Sequence, residues 1–185
     1  MAEVAKREKE FTPLEILIDR HKRIKFLTAF TLIEMVMTIL IIGILAAIAI
    51  PRFESFYSIK LDGATKKVVS DIRYIQQLAL SRHTNCRIDF NPAADTYSAQ
   101  EEAPQDSGNW VSAIDPFTHA GLSVDFNNHT QYQGIEIDSA VFGDSSVLQF
   151  NWLGAPQSGG ALVLAYQGRS RTISVESNTG RVNAQ

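Results

Sequence analysis

Residues Phe30 to Ile50, FTLIEMVMTILIIGILAAIAI, form an apolar run of 21 residues that contains a single charge, Glu34. As a helix the run would extend about 31 Å, the thickness of a bilayer's hydrocarbon core. No small soluble fold needs so long an uninterrupted apolar helix, so the run predicts a membrane span. The charges around it predict its orientation. Residues 1–29 hold seven Lys/Arg against five Asp/Glu, whereas the remainder holds ten against fifteen. A basic head before the run and an acidic body after it places the N-terminus in the cytoplasm under the positive-inside rule. A conventional secretory signal ending at Ala47-Ile48-Ala49 is the rival reading. Glu34 inside the apolar segment, and the long polar stretch before the basic residues, count against it.

Pro51 closes the run; it lacks a backbone N–H and is expected to kink the helix or loosen the turn before it. The helical period then resumes. Tyr57, Leu61, Ala64, Val68, Ile72, Ile75 and Ala79 recur at three- and four-residue steps, with Asp62, Lys66, Lys67 and Arg73 on other faces. One helix from Phe30 to about Arg82 is expected, weakened locally at Asp62-Gly63. Beyond it the pattern shortens. Residues 87–90 and 96–99, around the Asn91–Asp95 turn, read as a hairpin. Glu101 to Gly121, rich in Pro, Gly, Asp and Ser, reads as loop. Short strands are expected near 122–126, 134–137, 147–151, 161–166, 172–176 and 180–182, with a turn over Gly154–Gly160. The fold class is therefore α+β, a long helix packed on antiparallel sheet. The expected parts are a cytoplasmic leader (1–29), a transmembrane helix (30–51), its amphipathic continuation (52–83) and a β-rich domain (84–185).

Behind the basic stretch, Ala29-Phe30-Thr31-Leu32-Ile33-Glu34 resembles the prepilin-type cleavage and methylation motif shared by type IV pilins and type II secretion pseudopilins. The resemblance implies a pilin-like fold. It also implies that a membrane prepilin peptidase cuts between Ala29 and Phe30 and N-methylates Phe30. Here Ala29 stands where the family usually has glycine, and the leader is long for the family. Phe11-Thr12-Pro13-Leu14-Glu15 echoes the motif, but no spanning run follows it. A carboxylate deep in a bilayer costs on the order of 2.5–3.5 kcal/mol and needs a partner. In the family that partner is the new N-terminal amine of a neighbouring subunit, which would make Glu34 and Pro51 assembly residues. The bland reading of Glu34 is an acid snorkelling from the end of an ordinary anchor.

Leu148–Gly154, Ala161–Leu164, Thr172–Val175 and the closing Asn178-Thr179-Gly180-Arg181-Val182 look like the GspH/FimT class of minor pilins. That class implies a minor pseudopilin of a type II secretion system, helping to move folded proteins across the outer membrane. A minor type IV pilin for pilus assembly or DNA uptake is the alternative, and a membrane-tethered periplasmic binding domain is a third. The implied partners are the prepilin peptidase, other pilins or pseudopilins along the N-terminal helix, and an inner-membrane assembly platform. The implied location is the bacterial inner membrane, single-pass, with the C-terminal domain periplasmic and later part of a filament. Arg169, Arg171 and Arg181 are candidate nucleic-acid contacts, since some relatives bind DNA with basic residues near this end. The simpler reading of the three is as solvated strand charges.

Catalysis is not expected. The chain shows no glycine-rich phosphate loop, nucleophile elbow or metal-spaced cluster, so no cofactor and no metal are implied. His21, His83, His119 and His129 are scattered, and an Asp125…His129 pairing reads as a loop coincidence. Cys86, the lone cysteine, reads as buried and inert.

Overall fold

In the computed structural model the described residues are 30–185, with the backbone alone for residues 50–55. The amphipathic and apolar periods join into one helix, α1 (Leu32–Arg82). Helical backbone is continuous through Pro51 and through Asp62-Gly63. His83 then takes a left-handed conformation (φ 51°), and the Thr84 N–H reaches back to the Ala79 carbonyl at 3.3 Å. That is a Schellman stop, with histidine in the position glycine most often fills.

The chain divides into two units at the Ala47–Ile48 junction. The described part of the first is the start of α1, whose side chains are exposed throughout. In the second, α1 packs on two antiparallel sheets. The first sheet holds β1 (Cys86–Asn91), β2 (Thr96–Glu102), β3 (Trp110–Ser112), β4 (Ser123–Asp125) and β6 (Val147–Phe150), in the order β3-β2-β1-β6 with β4 also paired to β2. The second runs β5-β7-β8-β9, from β5 (Glu136–Phe142), β7 (Gly160–Tyr166), β8 (Arg169–Val175) and β9 (Val182–Ala184). The fold is α+β, as the change of hydrophobic period predicts.

One core joins the three layers. Leu61, Ala64, Val68, Ile72, Ile75 and Ala79 of α1 are buried, as their spacing predicts, whereas Tyr57 stays 38% exposed. Alternation supplies the sheet faces: Cys86, Ile88 and Phe90 point inward from β1, Leu162 and Leu164 from β7, Ile173 and Val175 from β8. A polar tie runs through this core. The Tyr97 hydroxyl donates to Asp71 Oδ2 at 2.6 Å, and the Lys67 ammonium donates to both Asp71 oxygens at 2.6 and 2.7 Å. Burial pushes the Tyr97 phenol well up from its ordinary value, and the Asp71 charge beside it adds to that.

Three expectations are corrected. The stretch 101–121 is not all loop: β2 continues to Glu102, and β3 pairs with it through Glu102↔Trp110. The polar composition hid these strands because β3 is a solvated edge. The strand expected at 134–137 begins at Glu136 and continues to Phe142, because a bulge between Ile137 and Ser139 resets the alternation. The strand expected at 180–182 is β9, starting at Val182, while Gly180 is a turn residue (φ 66°).

Candidate processing and assembly site

The amino end of α1 is built by its own sequence. Phe30 and Thr31 are not helical, and Leu32 is the first helical residue. Thr31 is the N-cap. Its carbonyl accepts the Glu34 and Met35 N–H groups at 3.1 and 3.2 Å, and its hydroxyl accepts the Glu34 N–H at 3.3 Å. Thr31 and Glu34 thus stand at capping-box spacing, a threonine followed three residues later by glutamate. The signal lies in the sequence, a second role for Glu34 beside the charge pair and the snorkelling acid, and one that the motif resemblance does not bring out. Glu34 sits in the first helical turn, where the helix dipole also favours an acid. Its exposed side chain leaves the carboxylate available, and Phe30 beside it is 72% exposed. Ala29, the leader, His21 and the Phe11–Glu15 echo lie outside the described residues. So does the side chain of Pro51.

From Leu32 to Ala49 the helix has a mean hydropathy of 2.6 over 18 residues, with none of that window buried within the protein. Among the described residues this is the helix long and apolar enough to cross a membrane.

The C-terminal arginines do not converge. Arg171 Nε donates to Asp62 Oδ1 at 2.8 Å, tying β8 to α1. Arg181 lies opposite Glu176, whose N–H donates to the Arg181 carbonyl at 3.1 Å, and its guanidinium is 3.8 Å from that carboxylate. Glu176 is five residues along the chain from Arg171, roughly 16 Å at strand rise. Arg169, exposed at the start of β8, is at the Arg171 end.

Other candidates resolve into local structure. Asp125 accepts hydrogen bonds from Asn127 and Asn128, while His129 Nδ1 accepts from the Gln131 and Tyr132 backbone and its ring stacks on Tyr132. His83 lies against Trp152. Among the described residues no three His, Cys, Asp or Glu side chains gather as a metal site. Cys86 is fully buried; burial, then the nearby Glu101 charge, pushes its thiol up to about 12. An open groove of 540 Å³ is lined by Val69, Arg73 and Tyr74 of α1 and by Phe117. It brings no nucleophile and base together.

No family model matches the chain. No curated protein matches it either. Among solved structures, it is similar to the crystal structure of the type IV minor pilin FimU of Pseudomonas aeruginosa strain PAO1, with 14% sequence identity over 68% of this chain and 87% of that one and a TM-score of 0.47. That likeness is too slight to assign a family.

Proposed function

We propose that this protein is a bitopic inner-membrane precursor, cut between Ala29 and Phe30 and built into a type IV pilus-like filament. The observation that carries the reading is the start of α1. An exposed apolar helix of spanning length begins two residues after the proposed cut and carries its lone acid at Glu34. After cleavage the Phe30 amine would lie within one helical turn of that acid. Pairing with the amine of a neighbouring copy would neutralise both charges inside the apolar bundle and fix the axial register. Such pairs serve specificity more than net stability.

The finer assignment is a minor pseudopilin of a type II secretion system, with the minor type IV pilin as the alternative; in either, the protein is structural and not catalytic. Deletion separates the two. Loss of exoprotein secretion with twitching intact supports the first, and the reverse result supports the second.

The reading is tested first by sequencing the mature N-terminus. Phe30 with N-methylation is expected, Ile50 would indicate a secretory signal, and a retained leader removes the proposal. Because Glu34 is also at the third helical position, two variants separate its roles. Glu34→Gln keeps a capping-box side chain without the charge, whereas Glu34→Leu removes both. If the charge pair sets register, both variants are trimmed yet fail to enter filaments.

A further inference from the structure

We propose that the outer edge of β9 is a docking site for an extended acidic peptide of a partner protein, which adds to the second sheet as a further strand. Every residue involved lies in the second unit, from Ile48 onward. Antiparallel pairing decides which backbone groups β9 has already used. Gln185 and Thr172 exchange both of their bonds, at 3.0 and 3.1 Å, and the Glu176 N–H donates to the Arg181 carbonyl at 3.1 Å. Residues 181, 183 and 185 therefore pair toward β8, and alternation turns the N–H and C=O groups of Val182 and Ala184 the other way. On that side β9 has no neighbouring strand, being the last of its sheet. The Val182 carbonyl accepts from Arg73 at 3.3 Å. That leaves the Val182 N–H and both main-chain groups of Ala184 as the row an incoming strand would pair with.

The surface beside this edge selects the occupant. Ala184 lines the 540 Å³ groove together with Lys66, Val69, Arg73, Tyr74 and Phe117. Lys66, Val69 and Arg73 follow one stripe of α1, at steps of three and four residues. β9 runs beside that stripe: Arg73 reaches Val182, and Lys66 lines a second cavity, of 180 Å³, with Ala184 and Gln185. Two cations about 10.5 Å apart along the helix axis thus flank an apolar residue. The acids that line the groove are already engaged. Asp71 is held by Lys67 and Tyr97, and Asp115 Oδ1 accepts the Phe117 and Thr118 N–H groups at 2.7 and 3.1 Å. Lys66 and Arg73 are exposed and meet no carboxylate among the described residues. Phe117, on the turn that Asp115 caps, is 90% exposed and offers a bound chain an apolar contact. In an extended strand, alternate residues share a face, and five residues span about 13 Å. A strand reading acid, any, apolar, any, acid therefore matches the stripe in both charge and length.

The test titrates the full chain, in a zwitterionic detergent, onto a fluorescein-labelled peptide Glu-Thr-Val-Thr-Glu and follows anisotropy, with empty micelles as the blank. Saturable binding is expected. Three changes should each weaken it roughly tenfold or more: Lys66→Glu with Arg73→Glu in the protein, lysine for both glutamates in the peptide, and N-methylation of the peptide nitrogens that face β9. Ala184→Pro removes one edge donor while leaving the bonds from residues 183 and 185 to β8. It should weaken binding equally, with the melting temperature unchanged. No saturable binding up to about 1 mM overturns the proposal. Binding indifferent to N-methylation also overturns it, and that arm leaves the protein unaltered, so a variant that fails to fold does not spare the proposal. Self-association that competes with the peptide and is lost in Ala184→Pro makes the occupant a second copy, which overturns it too.

Discussion

At Cys86 the side chain is fully buried and its thiol is pushed up to about 12, so almost no thiolate exists at neutral pH. The folded protein is therefore expected to resist thiol reagents at pH 8 and to react in full only after denaturation; rapid modification under native conditions would contradict the burial. Glu102 offers a pH handle. The Gly108 N–H at 2.6 Å and the Asn85 side-chain amide at 2.7 Å hold its carboxyl below the ordinary 4.5. Since the folded state binds this proton less tightly than the unfolded one, the group's contribution is complete above pH 4.5 and is lost as pH falls through the lowered value. Glu102→Gln is thus expected to lower the melting temperature at pH 7 and to converge with the parent toward pH 3. A gap that is unchanged by pH would show that the carboxylate's charge contributes nothing. At Ala29, Ala29→Gly is expected to speed trimming, as followed by pulse-chase, if small size before the cut limits the peptidase.

Among the elements, the contact between α1 and the first sheet depends on more than apolar area. Asp71 is buried and is held both by Lys67 on its own helix and by Tyr97 from β2. Tyr97→Phe leaves Asp71 with its lysine and is expected to cost about 1–2 kcal/mol. Asp71→Ala strands a buried hydroxyl as well as the lysine and is expected to cost about 2–4 kcal/mol. Denaturant titration orders the two, and equal costs would mean that Lys67 adds nothing to the tie. The turn before β9 is equally demanding. Gly180 has φ 66°, and a β-carbon there would lie 2.5 Å from Gln76 Nε2 and 3.2 Å from both the Phe150 ring and Pro156. Gly180→Ala should therefore destabilise by roughly 1–3 kcal/mol, through backbone strain and displacement of the Gln76 amide from the Gly154 carbonyl.

At the scale of the whole molecule, the buried hydrophobic core among the described residues runs from Leu61 to Val182. A fragment from Glu54 onward is thus expected to fold as a soluble, cooperative unit, while the full chain requires detergent or lipid. Near-ultraviolet circular dichroism and a single sigmoidal melt would check this; a molten fragment would mean that the apolar half of α1 is needed for the fold.

The α+β class and the extent of α1 could be read from the sequence because hydrophobic period is a local property: three- and four-residue steps up to Ala79, then alternation from Cys86 onward. Thr31 and Glu34 were legible for the same reason, since a cap is made within one helical turn. What the chain does with Arg169, Arg171 and Arg181 was not legible. The three read as one basic group, yet β8 and the turn before β9 hold Arg171 and Arg181 apart, and Arg171 pairs with Asp62 on a helix more than a hundred residues earlier. Likewise nothing local to Asp71 points to Tyr97, and nothing local to Lys60 points to Tyr166, the partners that packing brings to them. Short-range spacing sets which elements form. Only long-range packing decides which charges are buried, paired or exposed, because a charge's environment depends on partners distant in sequence.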